Sequence, residues 1–305
     1  MTGRGLLLGA ALGVRIAAAQ ADTTARDTTA RDTAVTIRPV LPAALPAGPL
    51  PPGTRYRFTP DSVLLSGSYT LSDLLTRIPG VYVARGGFYG QAEPVLLAGR
   101  GAVALEVYWD GVPYLPLGRD SIYLDPARIS LAPLETIDVV VLPSLLRVYL
   151  VTARHASSEP FTAVHVVTGQ QLDFARYQGA FAQRWRSGIG LALLADLNAL
   201  DGQAQGSTAG FTGVDIWLGA EYVPGPRFGV SYQVSSSDWT RDERAGLVDK
   251  RKSHRVDHTV RAFLARRADG LGPRLELSAS AATVTEDSAL GRQDGWQLGV
   301  GLRHV

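Results

Sequence analysis

Apolar and polar residues alternate along segment after segment in the second half of the chain. In one segment Val214, Ile216 and Leu218 alternate with Asp215 and Gly219. Because successive side chains of a strand point to opposite faces, each segment predicts a strand with one apolar and one polar face. Eight such strands are predicted, at 161–170, 176–186, 189–199, 212–222, 227–237, 256–266, 274–284 and 296–303.

The connections between these strands alternate in length from the second strand onward. Tight connections are expected at 187–188, 223–226 and 268–273, and long ones at 200–211, 238–255 and 285–295. Each segment is close to the ~9–11 residues that a tilted strand needs to cross a bilayer. A soluble sandwich would alternate as well, but nothing in it would separate tight turns from long loops. The pattern therefore predicts antiparallel transmembrane β-barrel strands.

The N-terminus predicts a signal peptide followed by a linker. Residues 1–21 combine a basic start at Arg4, an apolar stretch and a small-x-small cleavage site that ends at Ala21. Residues 22–64 are rich in threonine and proline and repeat the sequence Asp-Thr-Thr-Ala-Arg. Such a composition buries too little apolar surface to offset chain entropy. We expect this linker to be disordered, with nothing packed before Pro60.

A small α+β unit is predicted between the linker and the strands. Leu71, Leu74, Leu75 and Ile78 fall on one helical face, with Thr70 or Ser72 as cap and Pro79-Gly80 as stop. A tight turn is predicted at Asp110-Gly111. Short strands are expected at 81–83, 95–98, 105–109, 137–141 and 145–152, and a single helical turn at 126–129.

Composition excludes several classes of function. The 305 residues include 46% hydrophobic and 19% charged residues, and the net charge of +2 is too small to indicate nucleic-acid binding. There is no cysteine, which excludes disulfides and thiolate metal sites. No nucleophile elbow, phosphate loop or zinc-protease motif is present, so catalytic residues are not expected and the chain is not predicted to be an enzyme.

Three sets of side chains have more than one interpretation. His254 and His258 are four residues apart, but a predicted loop and strand start favour solvated histidines over a metal site. The basic run 250–255 falls in the longest predicted loop, where it could contact lipopolysaccharide phosphates or simply be solvated. Five aromatic residues near strand ends suit either membrane interfaces or ordinary sheet packing: Tyr177, Trp185, Tyr222, Tyr232 and Trp296.

Four motifs, in order over about seventy residues, carry a resemblance to a known family. They are Leu71-Ser-Asp-Leu-Leu-Thr-Arg-Ile-Pro-Gly-Val81, Leu97-Ala-Gly-Arg-Gly101, Glu106-Val-Tyr-Trp-Asp-Gly-Val-Pro113 and Leu134-Glu-Thr-Ile-Asp-Val-Val139. Together they resemble the plug domain of TonB-dependent outer-membrane receptors. The plug-motif residues in this resemblance are Pro79, Gly80, Gly99, Arg100, Gly101, Asp110, Gly111 and Pro113.

The resemblance implies a plug domain at 65–158 and the N-terminal part of a β-barrel at 159–305. It implies gated uptake of an unidentified small molecule across a Gram-negative outer membrane, with membrane lipid and a TonB-type periplasmic energy-transducing protein as partners and no cofactor. The expected energy-coupling segment is Thr33, Ala34, Val35, Thr36 and Ile37. The expected ligand-facing residues are Tyr82, Arg85, Phe88 and Tyr89.

Two features depart from the family pattern. Residues 145–152 form an apolar segment where the family has glycines. This favours the alternative of an uncoupled structural or adhesive outer-membrane barrel protein with a vestigial plug. Eight strands also enclose too little space for a plug, which takes a barrel of ~22 strands. The sequence thus predicts an incomplete barrel, which is either the N-terminal part of a longer receptor or the product of a truncated reading frame.

Overall fold

The computed structural model describes residues 36–42, 54–87, 89–98, 104–117, 124–169, 174–200, 210–243, 249–268, 272–287 and 292–304. The predicted signal peptide lies outside the described residues. The same holds for Thr33, Ala34, Val35, Phe88, Gly99, Arg100 and Gly101.

The first part of the described chain forms a small α+β unit around a mixed sheet. The elements are β1 (Arg55–Phe58), α1 (Pro60–Ser66), α2 (Leu71–Leu75), β2 (Val81–Val83), β3 (Val95–Leu97), β4 (Ala104–Trp109), β5 (Val112–Pro113), a 3-10 turn (Pro126–Arg128), β6 (Leu134–Leu142) and β7 (Leu145–Thr152). The five-stranded sheet has the order β1-β6-β7-β4-β5, and β2 pairs with β3 separately. Strands β4 and β7 are parallel, while the other neighbours are antiparallel.

Helix α2 forms where the apolar spacing predicts it. Thr70 caps it, since its hydroxyl accepts the Asp73 N–H at 3.3 Å and the Asp73 carboxylate accepts the Thr70 N–H at 3.1 Å. We call the α+β unit formed by β1 to β7 the plug unit. Leu71, Leu74 and Leu75 are fully buried and pack in its core. The helix ends at Leu75, earlier than the leucine and isoleucine spacing suggests.

The predicted turn at Asp110-Gly111 is confirmed. Asp110 has φ +48° and Gly111 has φ +80°, the left-handed conformations that a two-residue hairpin turn requires. The turn joins β4 to β5, with Trp109 opposite Val112.

The expectation of unpacked chain as far as Pro60 is wrong for two stretches of the linker 22–64. Strand β1 pairs antiparallel with β6, because Arg55 and Arg57 both reach the buried Asp138 carboxylate on β6. Helix α1 then begins at Pro60. Leu41 is also buried, in a cluster with Val223, Phe263 and Ala265.

The second part of the chain is an eight-stranded antiparallel sheet in sequence order, as predicted. Its strands are β8 (Phe161–Gly169), β9 (Phe174–Arg184), β10 (Ile189–Leu200), β11 (Phe211–Gly225), β12 (Phe228–Arg241), β13 (Arg251–Ala265), β14 (Pro273–Glu286) and β15 (Arg292–His304). Within the described residues the sheet is not closed, and β8 and β15 are its edges. Half of the loop expected at 238–255 is strand, because β12 continues to Arg241 and β13 begins at Arg251.

We call the eight-stranded sheet β8–β15 the wall, and its two faces differ in polarity. One face carries apolar rows, such as the aligned residues Ala220, Tyr232, Val260, Ala279 and Leu298. The opposite face carries buried polar residues, including Arg176, Asp196 and Ser231, and contacts the plug unit. The apolar face is therefore directed away from the plug.

Candidate functional site: the plug–wall cavity

A cavity of about 510 Å³ lies between the plug unit and strands β9–β12 of the wall. Its volume falls within the range of ~300–1,000 Å³ that is usual for small-molecule sites. The side chains that define its chemistry are Tyr69, Asp73, Arg77, Arg85, Tyr89, Glu93, Arg128, Phe174, Arg176, Asn198, Phe211, Asp215 and Trp239. We call it the plug–wall cavity.

An acid–arginine–acid network forms the plug side of the cavity. Arg85 donates to Asp73 at 2.6 Å and lies 3.5 Å from the Glu93 carboxylate. Burial alone would raise the pKa of Asp73, but the N–H groups of Tyr69 and Thr70 and the Arg85 guanidinium outweigh it and lower that pKa. At Glu93 burial dominates and raises the pKa.

A buried ion pair forms part of the wall side. Arg176 on β9 donates two hydrogen bonds to Asp196 on β10, one of them at 2.8 Å. The same carboxylate accepts from Gln178 at 3.0 Å and from the plug residue Ser130 at 3.4 Å. The Arg176 guanidinium also lies 4.4 Å from the ring centroid of Tyr69. Arg176 and Asp196 thus connect the wall to the plug.

Aromatic rings flank the cavity on two sides. Tyr89 of the plug packs against Phe211 at 5.6 Å between ring centroids, and Phe211 packs against Trp239 at 6.2 Å. Tyr69 and Phe174 form a second pair at 6.4 Å. Tyr89 is 53% exposed and Tyr69 is 37% exposed, so both rings present surface to the cavity.

The structure brings together two of the four predicted ligand-facing residues. Arg85 and Tyr89 line the plug–wall cavity, whereas Tyr82 is exposed but not part of the lining. Phe88 lies outside the described residues. Arg176, Phe211 and Trp239 also line the cavity but were not predicted. The inward position of Arg176 on a predicted strand could have indicated it, whereas Phe211 and Trp239 lie in segments that were predicted to be loops.

Two of the plug-motif residues hold the turn of the plug against the wall. The Asp110 carboxylate accepts from the Thr152 N–H at 3.1 Å, the Thr152 hydroxyl at 2.6 Å and the Gln233 amide at 3.0 Å. The Pro113 carbonyl accepts from Gln297 on β15. These contacts join the β4–β5 hairpin to the wall.

Another plug-motif pair stops the segment after α2. Pro79 precedes Gly80, which has φ +79°, and the Gly80 carbonyl accepts the Ala98 N–H at 2.7 Å. This contact continues the pairing of β2 with β3.

The described part of the energy-coupling segment is already paired within the chain. Ile37 lies opposite Ser157 in an antiparallel bridge, and the Arg38 N–H donates to the Ala156 carbonyl at 2.9 Å. Thr36 exchanges hydrogen bonds with Ser158. We call residues 36–42 the strap, because it continues to the buried Leu41 on the wall.

The interpretation of residues 250–255 as a loop is wrong, and strand alternation divides the basic residues. Arg255 points inward, where it donates to the Leu115 carbonyl at 2.9 Å and lies 3.8 Å from the Tyr114 ring centroid. Arg251 also points inward, to Glu286. His254 points outward and lies 3.3 Å from Asp238. Residues 250–255 therefore contribute to both faces of the wall: Arg255 contacts the plug, and His254 lies on the outer face.

His258 lies on strand β13, as the predicted strand 256–266 implies. Its Nδ1 is 2.7 Å from the Tyr232 hydroxyl on the apolar face. Within the described ranges, no three histidine or acidic side chains are grouped so that they could hold a metal ion. No helix in the described part of the chain has the length and apolar character of a membrane span.

Solved structures show which fold this arrangement belongs to. The ferric citrate transporter FecA in its unliganded form matches with a TM-score of 0.60 and 17% identity over 82% of this chain and 42% of its own. The siderophore receptor PirA from Pseudomonas aeruginosa matches with a TM-score of 0.58 and 14% identity over 83% of this chain and 45% of its own. The chain has the plug-and-barrel-wall fold of TonB-dependent receptors.

A third match supports the same fold. BauA, the ferric preacinetobactin receptor from Acinetobacter baumannii, has a TM-score of 0.61 and 13% identity over 76% of this chain and 38% of its own. The chain thus spans about two fifths of the length of these receptors. No protein-family model and no curated protein sequence matches the chain.

Proposed function

We propose that the chain forms the plug and part of the barrel wall of a gated importer in a Gram-negative outer membrane. The observation that carries this proposal is the division of the wall between an apolar outward face and a polar inward face that holds the plug. On β10 and β11 the outward side chains are Ile, Leu, Ala, Val, Thr and Tyr, without a charge. Lipid is the solvent that such a face fits.

The gate in this proposal is the plug, and its contacts with the wall are individually weak. Gln233–Asp110, Ser130–Asp196 and Arg255–Leu115 are single hydrogen bonds between the two parts. A net contribution of about 1–3 kcal/mol for each allows them to break one after another under a directed pull. The ligand would enter at the plug–wall cavity, where Arg85 and Tyr89 of the four predicted ligand-facing residues lie.

The pull would come from a TonB-type periplasmic protein that binds residues 33–37. An extended segment with alternating side chains can join a partner as an added strand. The strap supports this proposal, because residues 36–38 already adopt the extended pairing conformation against residues 156–158.

The coupling proposal is tested with a photo-crosslinking residue at position 35 in cells that express the protein. A crosslink to the energy-transducing protein is expected at position 35 and not at the matched position 162 on the edge strand β8. Absence of the crosslink, together with ligand uptake that persists after the proton gradient is collapsed, would contradict coupling.

One observation favours the alternative of an uncoupled structural or adhesive barrel protein with a vestigial plug. Strand β7 occupies the centre of the plug sheet between β6 and β4, and Leu146, Val148 and Leu150 are buried. A plug with such a packed centre resists unfolding more than one with glycines there. Retention in the outer membrane without any position-35 crosslink would support this alternative.

A further inference from the structure

Three of the four described arginines that line the plug–wall cavity are paired with carboxylates of the protein itself, and the fourth, Arg77, donates to the Ser66 carbonyl at 2.6 Å. Arg85 is paired with Asp73 and Glu93, Arg128 with Asp125 at 3.1 Å, and Arg176 with Asp196. Among the described residues, four arginines and three carboxylates line the cavity, the carboxylates being Asp73, Glu93 and Asp215. Two further carboxylates, Asp125 and Asp196, pair directly with lining arginines, so that five carboxylates stand against four arginines. The cavity therefore offers no excess of positive charge.

This balance disfavours an anionic ligand. An anion that approached Arg85 would also meet the Asp73 and Glu93 carboxylates, whose side chains are 30% and 19% exposed. It would have to displace one of them, because two like charges at close range repel. Ser72 donates a hydrogen bond to Glu93 and keeps that carboxylate in place.

The remaining features of the cavity suit ring faces and hydroxyl groups. Tyr89, which packs against Phe211, and Tyr69, which packs against Phe174, each keep part of the ring exposed. Such rings pack against flat apolar surfaces of a ligand. Between them Arg85 offers donors, Asp73 offers acceptors, and Asn198 offers both. A hydroxyl group, which donates and accepts at once, satisfies such a mixed set without adding charge.

We propose that the plug–wall cavity binds an uncharged ring compound with several hydroxyl groups, a neutral sugar or glycoside, in preference to an anionic chelate. The proposal names the substrate class of the uptake function proposed above and rests on that function for transport, while the binding itself needs no coupling. It differs from the ligands named for the ferric citrate and siderophore receptors that share the fold.

The test compares two probes that differ in one group. Para-nitrophenyl β-glucoside and para-nitrophenyl β-glucuronide share the sugar ring, its three ring hydroxyls and the nitrophenyl group, but the second carries a carboxylate in place of the hydroxymethyl group. Binding is followed by quenching of tryptophan fluorescence, to which Trp239 beside the cavity contributes, with the purified protein in a detergent that lacks sugar headgroups. We expect the glucoside to bind about fivefold or more tightly than the glucuronide.

Three variants distinguish an effect of the cavity charges on ligand preference from non-specific binding. The double substitution Asp73→Asn and Glu93→Gln leaves Arg85 without its acidic partners and should reverse the preference toward the glucuronide. Tyr89→Ala should weaken glucoside binding about three- to tenfold, the usual effect of losing one aromatic contact. Glu106→Gln, which removes the partner of Arg147 elsewhere on the plug, is the matched control and should change neither affinity.

Three outcomes would overturn the proposal. They are tighter binding of the glucuronide, tighter binding of ferric citrate than of the glucoside, and no quenching by the glucoside at millimolar concentration. A missing position-35 crosslink, together with uptake that persists without the proton gradient, would contradict the coupled uptake function and leave this binding result standing. Glucoside binding without coupling, or coupling without glucoside binding, therefore identifies which of the two proposals fails.

Discussion

Gln233 on strand β12 of the wall donates a hydrogen bond of 3.0 Å from its side-chain amide to the carboxylate of Asp110 in the plug. The two residues are 123 positions apart in sequence, and Asp110 is 4% exposed. The same carboxylate accepts two hydrogen bonds from Thr152 at the end of β7. Asp110 is therefore the point where the plug hairpin, the central plug strand and the wall meet.

Gln233→Ala should loosen the plug without unfolding it. A hydrogen bond to a charged group contributes about 1.5–3 kcal/mol, and Asp110 keeps its two bonds from Thr152. We expect faster hydrogen exchange at Gly111 and Val112, measured by mass spectrometry on the protein in detergent. Ser236→Ala, on the opposite face of the same strand, should leave exchange at these residues unchanged.

Two substitutions of Asp110 should differ in severity. Asn tolerates the left-handed φ of +48° but brings an NH₂ group against the Thr152 donors, so Asp110→Asn should cost about 1–3 kcal/mol. Asp110→Ala loses the acceptors and adds backbone strain, and it should cost more. Urea-induced opening of the plug, followed by fluorescence, measures both; equal midpoints for the two variants would contradict this account.

A disulfide should lock the strap. The chain has no cysteine, so Ile37→Cys with Ser157→Cys creates a single pair at bridge partners, whose spacing suits a disulfide. Under oxidising conditions we expect loss of the crosslink from position 35 to the energy-transducing protein, and recovery after reduction. The single variant Ile37→Cys is the control; an undiminished crosslink in the oxidised double variant would show that the strap need not open.

Strand β1 should detach in acid. Burial raises the pKa of Asp138, but hydrogen bonds from Arg57 and Arg55 outweigh that effect and hold the pKa below its ordinary value of 3.8. The stabilisation by these pairs is therefore complete above about pH 4 and is lost as the pH falls through the lowered pKa. Amide protection of residues 55–58, corrected for intrinsic exchange, should fall in that range.

Asp138→Asn should detach strand β1 already at neutral pH. It removes two charged hydrogen-bond pairs at a cost of about 2 kcal/mol, with the half-exposed Arg57 contributing the smaller share. Protection of residues 55–58 should then be low and independent of pH. Glu159→Gln, at an exposed position, should retain the profile of the unsubstituted protein.

The apolar face should not tolerate charge. Val260 is 43% exposed on the outward row, and Val260→Lys should cost about 2–4 kcal/mol if the residue faces the middle of a bilayer. Thr259→Lys, one residue away on the inward face, should be accepted. The measurement is the share of each variant in the outer-membrane fraction; equal shares would contradict a lipid-facing role for this row.

The wall could be predicted from sequence because its strands are long and one rule governs them. Alternation located all eight strands, but it misplaced the ends of strands where side chains of like polarity follow one another. Residues 250–255 are an example: the dense charge suggests a loop, yet Arg251 and Arg255 are satisfied inside by Glu286, Asp257 and the plug. A contact with a partner 140 residues away leaves no local signal.

The plug could be predicted in its motifs but not in its limits. Arg55–Phe58 looks like linker because the reason for its order is the buried Asp138, 83 residues further on. The lining of the cavity combines residues that were predicted from the sequence with residues that were not. Arg85 and Tyr89 follow a recognised motif, whereas Phe211 and Trp239 become neighbours only through the register of β11 and β12.

The parallel pairing of β4 with β7 has a consequence for biogenesis. Residues 104–109 gain their main sheet neighbour only after residues 145–152 have been delivered, and β1 needs β6 in the same way. While the chain is synthesised from its N-terminus to its C-terminus, the early strands of this sheet remain unpaired with their apolar sides exposed until the last one arrives. A holding chaperone would therefore find its target in Ala104–Trp109, for the time that synthesis of some forty further residues takes.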